Sequence, residues 1–530
     1  MSEPTETSER AFVLGLDGVP WRLIERWTES GDLPNFARMR EEGAAGPLES
    51  THPPTTSLAW PSIATGVWPD KHGIYGFQKF LPSYTHRMNT SRDRSQPTLW
   101  ELFSPALVGN VPMTYPASEI DGTLATGMLT PSVEQEFTHP PAFADEIRDR
   151  IPDYQISLDY PEFADRLDEF PAAVDELLEK RRELLDLLME RRDDWRLFFF
   201  VFVAPDRFQH LVWDEQKLLE HYRKLDAILG DVIDYTDDHG ADLYVVSDHG
   251  FGPVDEIVHV NYFLEREGYL VRRDETGTRS LLGRLGLSRD AVLSGLNRAG
   301  ITEERLVSAL PRQLVDSVAE QFPGSHSLYD VDYTQTKAFV HDAGNCYIND
   351  TERFDSGVVS PAQVPAVKAE LIELFEGITD EDGERLFRVF DGDELFPTDE
   401  DSPDLIVNAV HGYESRNAIA DEPFADPGIT VASHRSEGIM LCRGPTIDAG
   451  VTLEDASVVD VAPTVLHGCN QPVPSNVDGR ALFEAFRDGS LPSRRNVEYD
   501  DVARENGEDE ASEDDFDEVT DRLKGLGYLE

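Results

Sequence analysis

The sequence predicts an α/β fold in which helices sandwich a mostly parallel central sheet that carries cap insertions. Three apolar runs, "AFVLGLDG", "LFFFVFVAPD" and "ADLYVVSDHG", each lead into an aspartate. Runs that are apolar throughout are typical of central strands in a parallel sheet, because helices cover both of its faces. Helical patterns such as "EQKLLEHYRKLDAILGDVIDYTDDHG" lie between the runs. This alternation of strands and helices indicates an open α/β fold.

The element pattern predicts one large catalytic domain built from residues 10–265 and 335–490. Within it, residues 75–165 are rich in Pro, Thr and short apolar pieces, and we expect them to form cap and substrate loops. Residues 268–335 contain short helical patterns and are predicted to be a helical insertion. The acidic tail, 496–530, is expected to be largely disordered, although its "VTDRLKGLGYL" could dock as a short helix.

The chain is strongly acidic, with a net charge of −55 distributed over its whole length. Repulsion on this scale opposes a compact fold in dilute buffer, whereas at about 1 M salt the Debye length is only ~3 Å. We therefore expect a cytoplasmic protein of an extreme halophile. The alternative is an acidic protein with a cationic partner. Binding to the backbone of a nucleic acid is not expected for such a negative chain.

The remaining bulk features predict a soluble, intracellular protein. The three cysteines, Cys346, Cys442 and Cys469, are far apart, which argues against a disulfide framework and against a cysteine zinc site. The first residues, "MSEPTETSER", do not resemble a signal peptide, and no apolar run approaches the ~20 residues of a membrane span. We expect no membrane partner, and the sequence does not predict an oligomeric state.

Acidic and histidine residues follow the predicted strands in a pattern that suits a metal centre. The candidates are Asp17 after the first strand, Asp206 and His210 one helical turn apart after the second, Asp248 and His249 after the third, and His434 in "VASHRSEGIM". Such pairs arise by chance in a chain with 14 histidines and 102 acidic residues. The signal is their position, because open α/β sheets bind ligands at the carboxyl ends of their strands. Mixed oxygen and nitrogen donors suit Zn²⁺ or Mn²⁺.

Five motifs in order resemble the type I phosphodiesterase/nucleotide pyrophosphatase family of the alkaline phosphatase superfamily. They are "LGLDG", "PPTTSLAWPSIATGVWPDKHGI", "PDRFQH", "VVSDHGF" and "SHRSEG", and the resemblance extends over about residues 10–485. It implies an alkaline-phosphatase-like fold and a hydrolase that cleaves phosphodiester or pyrophosphate bonds. It further implies two divalent metal ions, Zn²⁺ or alternatively Mn²⁺, about 4 Å apart.

The resemblance assigns a role to each candidate. Asp206, His210 and His434 are expected to hold one metal, and Asp17, Asp248, His249 and Thr56 the other. Thr56 is the expected nucleophile, which forms a phosphothreonine intermediate on a small phosphate-ester substrate, with Thr55 and Ser57 as the neighbours to exclude. The Ser57 amide, Arg207 and Arg435 are tentative substrate-binding groups. Animal-type members carry Asn where this chain has Ala59, so the group that replaces it stays open.

Several alternatives remain at this stage. A phosphomonoester or phosphonate hydrolase, or a phosphotransferase of the same superfamily, uses the same residue types. A non-catalytic scaffold stabilised by metals is less expected, because all seven metal-site residues are present. Trp60 and Tyr115 are interpreted as core residues, in preference to residues that stack on a base or sugar. His72 is interpreted as structural.

Overall fold

A computed structural model describes residues 7–273 and 331–502 except positions 135, 159, 164, 165, 343, 381 and 411, together with residues 504, 516, 519, 520 and 523. The predicted helical insertion at 268–335 lies mostly outside the described residues, since these omit 274–330. Most of the acidic tail beyond residue 504 lies outside them as well, so its disorder stays a prediction.

Short strands occur throughout the described residues. In chain order they are β1 (Ala11–Leu16), β2 (Ala44–Glu49), β3 (Gln78–Phe80), β4 (His86–Met88), β5 (Ala106–Val111), β6 (Gly122–Thr126), β7 (Thr138–His139), β8 (Leu197–Phe202), β9 (Asp242–Val246), β10 (Gly250–Pro253), β11 (Glu256–His259), β12 (Ala338–His341), β13 (Asn345–Ile348), β14 (Phe387–Asp391), β15 (Leu405–Ala409), β16 (Tyr413–Arg416), β17 (Phe424–Ala425), β18 (Ala432–Arg435), β19 (Glu437–Arg443), β20 (Val451–Thr452), β21 (Ala456–Ser457), β22 (Val473–Pro474) and β23 (Tyr499–Asp500).

The helices alternate with these strands in the first half of the chain. They are α1 (Trp21–Glu29), α2 (Pro34–Glu42), α3 (Thr56–Thr65), α4 (Pro69–His72), α5 (Leu99–Leu102), α6 (Ala142–Arg150), α7 (Phe170–Met189), α8 (Ala204–Leu211), α9 (Glu215–His239), α10 (Val260–Arg266), α11 (Val364–Glu376), α12 (Gly392–Leu395), α13 (Val461–Gly468) and α14 (Leu491–Arg494). The longest, α9, begins after Asp214, whose carboxylate accepts from the Lys217 amide, and ends at Gly240 with a left-handed φ of 61°.

The main sheet confirms the predicted fold class. Its strand order is β20–β2–β19–β9–β1–β8–β5–β6–β7, with β21 also beside β2. Strand β1 pairs in parallel with both β8 and β9, and β5 pairs in parallel with β8 and β6. Only β19 and β7 run antiparallel to their neighbours in this sheet. The sheet is therefore mostly parallel, as the sequence predicts.

Side chains on alternate positions of the central strands pack on opposite faces. In β8, Phe198, Phe200 and Phe202 join the core cluster that includes helices α1, α2, α7 and α9. The intervening residues, Leu197, Phe199 and Val201, pack with α3, α5 and α13 on the other face. Each fully buried side chain of this size contributes roughly 1.5–3 kcal/mol relative to exposure. Burial on both faces explains why these strands are apolar throughout.

Two parts of the chain differ from the arrangement that the sequence suggests. Within the expected cap, 75–165, strands β5 and β6 join the main sheet, because their short apolar runs pack beside β8. Strands β12, β13, β15 and β14 form a separate four-stranded antiparallel sheet. That sheet encloses its own core with α10 and α11.

Part of the C-terminal tail packs against the expected cap. Phe516, Val519 and Leu523 are buried in a cluster with Ile74, Phe77, Met88, Met113, Tyr115, Met128 and Leu129. Arg504 forms an ion pair with Glu101 at 3.4 Å and donates to the Ser91 carbonyl at 2.9 Å. Among the described residues, no helix combines the length and apolar character needed to cross a bilayer.

The net charge of −55 leads to a test of the fold's dependence on salt. We expect the melting temperature to rise by on the order of 10 °C between about 0.2 M and about 2 M KCl, because salt screens the repulsion among surface carboxylates. Circular dichroism during heating measures the transition. A non-ionic solute at equal osmolality is the control, and a melting temperature that stays level or falls as KCl rises contradicts the prediction.

Candidate active site

Three adjacent parallel strands deliver three aspartates to one edge of the main sheet. Strand β1 lies between β9 and β8, and Leu16 of β1 is in register with Phe202 of β8. Asp17 directly follows β1, Asp206 lies in the first turn of α8 after β8, and Asp248 follows β9. All three side chains are at most 1% exposed. The strand pairing therefore concentrates three carboxylates where sequence patterns predict a site.

Helix α8 and a small two-stranded sheet add the histidines. His210 lies one helical turn after Asp206, and its Nε2 is 3.6 Å from Asp206 Oδ1. Strand β10 continues directly from His249 and pairs with β18, so that Phe251 is in register with His434. This pairing brings His434 Nε2 to 3.3 Å from Asp206 Oδ1. The centroids of the His249 and His434 imidazole rings are 4.1 Å apart.

These side chains form two overlapping groups of donor atoms. Asp206, His249 and His434 form one group and Asp17, Asp248 and His249 the other, and within each group the donor atoms lie within 4.8 Å of one another. His249 belongs to both groups. These groups contain five of the six predicted metal-binding aspartates and histidines, and the sixth, His210, lies beside Asp206.

Thr56 occupies the first position of α3 and faces this cluster. Its Oγ1 lies 3.2 Å from His249 Nε2 and 3.5 Å from Asp17 Oδ1. The hydroxyls of the neighbouring Thr55 and Ser57 instead contact each other at 3.2 Å. The first amide of α3 with a partner inside the helix is that of Leu58, which bonds to the Thr55 carbonyl. Amides before that point, including the one of Ser57, are of the type that binds anions at helix N-termini.

Hydrogen bonds orient the donor atoms of the cluster. The Trp60 indole N–H donates to Asp17 Oδ2 at 2.9 Å, and the Gly18 amide donates to Asp248 Oδ1 at 3.1 Å. His249 Nδ1 lies 3.0 Å from the Gly250 carbonyl. An Nδ1–H bonded in this way leaves Nε2 as the metal-binding atom. Trp60 is thus both a core residue, as expected, and a support for a predicted ligand.

The buried carboxylates of the cluster are stabilised by nearby positive charge. Burial and the nearby Asp248 and Asp206 raise the pKa of Asp17 well above its ordinary value. Burial also raises the pKa of Asp248 to about 6, with His249 opposing and Asp206 adding to the shift. Burial lowers the pKa of His210 and His434 to about 4, which favours neutral imidazoles. Close carboxylates beside neutral imidazoles are a donor set that divalent cations fit.

Asp206 behaves in the opposite way to the other two aspartates. Burial alone raises its pKa, but His210, His434 and Arg207 together outweigh burial and hold the pKa below its ordinary value. The Arg207 guanidinium, itself 2% exposed, lies 3.3 Å from Asp206 Oδ2 and donates to Met128 Sδ at 2.6 Å. Arg207 is therefore a buried positive charge at the rim of the cluster.

Two other residues named from the sequence have local contacts. Arg435 follows His434 in β18, and its guanidinium donates to the carbonyls of His434 and Pro253, both at 2.7 Å. His72 is buried, and its ring nitrogens contact Ser62 Oγ and the Ile74 amide, both at 3.1 Å. The contacts of Arg435 stabilise the β10–β18 pair, and its predicted contact with substrate stays a prediction.

Comparison with known proteins identifies the family. A model of the type I phosphodiesterase/nucleotide pyrophosphatase family matches residues 11–438. The chain belongs to this family. Its members include phosphodiesterases and nucleotide pyrophosphatases, and this chain is a hydrolase of that kind. The motifs that suggest the family in the sequence supply Asp17, Thr56, Asp206, Asp248 and His434, which meet in one site.

Solved structures of similar fold include two ectonucleotide pyrophosphatase/phosphodiesterase 5 proteins. The murine protein, an inactive variant in complex with AMP, is 11% identical with a TM-score of 0.49 and covers 91% of this chain and 100% of its own. The human protein is 10% identical with a TM-score of 0.48 and covers 90% of this chain and 100% of its own. A comparison with curated proteins finds no match.

The hydrogen bond from Trp60 to Asp17 leads to a test of the site. We expect Trp60→Phe to weaken divalent-metal binding about 10- to 100-fold, because Asp17 loses the donor that orients it. Calorimetric titration of the metal-free protein with Zn²⁺ measures the affinity.

Trp100→Phe is the matched control for this test. Both indoles are buried and pack edge-on against Phe199, with centroid distances of 6.3 Å for Trp60 and 5.4 Å for Trp100. Within the described residues, the Trp100 indole makes no hydrogen bond to a predicted ligand, so its replacement should leave the affinity within about 3-fold of wild type. Equal losses in the two variants point to packing rather than to the hydrogen bond.

Proposed function

We propose that this hydrolase cleaves phosphodiester or pyrophosphate bonds through a phosphothreonine on Thr56 at a site for two divalent metal ions. The observation that carries the proposal is the position of the Thr56 hydroxyl. It lies at the start of α3 and within 3.5 Å of donor atoms of both Asp17 and His249. A nucleophile needs such contact with the groups that activate it.

The proposed metal ligands are the clustered aspartates and histidines together with Thr56, divided between two ions as the family resemblance implies. Asp206, His210 and His434 hold one ion, and Asp17, Asp248, His249 and Thr56 hold the other. The mixed carboxylate and imidazole donors support Zn²⁺, with Mn²⁺ as the alternative. Ions bound there favour the alkoxide form of the Thr56 hydroxyl and neutralise charge on the phosphoryl oxygens.

The chain's own groups account for the remaining requirements. Thr56 Oγ1 forms a bond to phosphorus while the bond from phosphorus to the leaving oxygen breaks, and water later cleaves the phosphothreonine from the opposite side. The Ser57 amide at the start of α3 faces the phosphoryl oxygens. Arg207, buried beside Asp206, offers a second positive group to the phosphoryl oxygens.

The environment of the enzyme is part of the proposal. The net charge of −55 supports work in the high-salt cytoplasm of a halophile. Assays therefore belong in molar KCl.

Replacement of Thr56 tests the nucleophile. We expect Thr56→Ala to lower kcat for bis-p-nitrophenyl phosphate at least about 10³-fold, because the hydroxyl beside Asp17 and His249 is lost while those of Thr55 and Ser57 contact each other. Release of p-nitrophenol from metal-loaded protein measures kcat. An acid quench followed by peptide mass spectrometry locates the phosphoryl group, which should be on Thr56.

Thr55→Ala is the control for that variant and should retain most of the activity. The natural bond type is tested by comparing rates for the diester, p-nitrophenyl phosphate and p-nitrophenyl sulfate. A faster rate for the monoester favours the phosphomonoesterase alternative. Unchanged activity of Thr56→Ala overturns the proposed nucleophile.

Removal of metal tests the second half of the proposal. We expect a chelator to abolish diester hydrolysis and two equivalents of Zn²⁺ or Mn²⁺ to restore it, because the Thr56 hydroxyl barely ionises without a cation. Bound metal is counted by elemental analysis beside the rate. Full activity in protein shown to be metal-free contradicts this mechanism.

A further inference from the structure

Arg181 is a deeply buried cation for which the described residues supply no counter-ion. It lies on α7 and is 1% exposed. Its Nη2 donates to the carbonyls of Gln155 at 2.5 Å and Ile156 at 2.7 Å. Within the part of the chain that the structure describes, neither Nε nor Nη1 has a hydrogen-bond partner. Three of the five N–H donors of this guanidinium therefore have no acceptor among the described residues.

A purely structural role accounts for only part of this arrangement. The two carbonyl contacts hold residues 155 and 156 against α7 and use a single nitrogen. The next residue, Arg182, shows how this helix pairs a cation at the surface, since its guanidinium bonds Asp231 at 2.7 Å. An unpaired buried charge is costly. A chain with 102 acidic residues had many carboxylates with which to pair Arg181.

Two tyrosines line the same place. The Arg181 guanidinium lies over the Tyr154 ring, 4.7 Å from its centroid. Tyr154 Oη is buried and lacks a hydrogen-bond partner among the described residues. Tyr160 is 1% exposed, and its hydroxyl lies 3.5 Å from Ser157 Oγ. Within the described residues, Arg181 and Tyr154 thus both carry unpaired donors, and their side chains are in contact.

Tyr160 lies between the surroundings of Arg181 and the cluster of predicted metal ligands. The Arg207 guanidinium lies 5.8 Å from the centroid of the Tyr160 ring and 3.3 Å from the carboxylate of Asp206. Tyr160, Arg207 and Asp206 therefore form a row that ends at the candidate ligands. Arg181 bonds the carbonyls of residues 155 and 156, which precede Tyr160 in the chain.

We propose that Arg181, Tyr154 and Tyr160 form an anion subsite beside the active site, which binds a second anionic group of the substrate. The inference rests on the proposed function and deepens it, because it names the substrate class. That class is phosphate esters whose organic part carries a further phosphate, carboxylate or sulfate group. Its oxygens accept from Arg181 Nε and Nη1 and from Tyr154 Oη, while Arg207 serves the scissile phosphoryl group.

Pairs of inhibitors that differ by one anionic group test the subsite. Each pair consists of an alkylphosphonate and the α,ω-bisphosphonate of the same chain length, assayed against bis-p-nitrophenyl phosphate hydrolysis by the metal-loaded enzyme with metal in excess. We expect one chain length at which the bisphosphonate inhibits at least about 10-fold more strongly than its partner. Dicarboxylate and disulfonate analogues of that length then show which anion is preferred.

Variants separate the subsite from a structural role of Arg181. In Arg181→Met, the ratio of the two inhibition constants should fall to within about 2-fold of one, whereas the surface control Arg182→Met should keep the wild-type ratio. Tyr154→Phe removes only the hydroxyl and should lower the ratio at least about 3-fold. It supplies the test if Arg181→Met does not fold. A ratio that stays at the wild-type value in folded Arg181→Met or Tyr154→Phe overturns the subsite.

The two proposals fail in different ways. The subsite is overturned, and the proposed function stands, if the wild-type enzyme hydrolyses the diester but both members of every pair inhibit it equally. If the protein hydrolyses no diester, calorimetry of the metal-loaded protein measures the binding of each member of a pair. A preference for a bisphosphonate together with no diester hydrolysis overturns the proposed function and supports the subsite.

Discussion

Electrostatic repulsion among three buried carboxylates is the constraint on which the active site depends. Asp17, Asp206 and Asp248 are almost completely buried at one edge of the main sheet. Burial and their mutual repulsion raise the pKa of Asp17 and of Asp248. Nearby cations stabilise such a cluster of carboxylates, and the chain itself places Arg207 beside Asp206. The remaining charge deficit is what makes the site suited to divalent metals.

The fold holds these carboxylates in place through its most rigid parts. The three aspartates follow strands β1, β8 and β9, which are paired in register and buried on both faces. Thr56 begins α3, whose buried residues pack on the same sheet. A site supported by sheet and helix ends keeps its donor atoms at defined distances, which phosphoryl transfer requires.

Cations are distributed unevenly in this acidic chain, and their locations are informative. Among the described residues, most arginines in ion pairs lie at the surface beside carboxylates, as Arg182 does beside Asp231. Arg207 is instead buried beside Asp206, and Arg181 is buried against the carbonyls of residues 155 and 156. In our proposal, the clustered aspartates and histidines provide the chemistry common to the family, and Arg181 with Tyr154 and Tyr160 selects the organic group.

The prediction that continuous apolar runs form central strands was confirmed. The apolar runs before Asp17, Asp206 and Asp248 are strands of a mostly parallel sheet, because continuous burial on both faces requires such runs. Other features depend on contacts between distant segments. Pairing of β10 with β18 brings His434 to His249, and nothing in either segment alone indicates that pairing. Strands β5 and β6 were expected in a cap, since short apolar pieces between prolines resemble loops.

Period, composition and motif order were therefore sufficient for the fold class and the family, and they named the aspartates and histidines that the fold brings together. They were sufficient because burial and strand geometry act on neighbouring residues in the chain. Other features arise only when segments that are far apart in the chain meet. They are the hydrogen bond from Trp60 to Asp17, the contact of Arg207 with Tyr160 and the packing of Phe516. A residue's charge can be read from its identity. Whether that charge is buried, paired or left with unused donors depends on what the folded chain places against it.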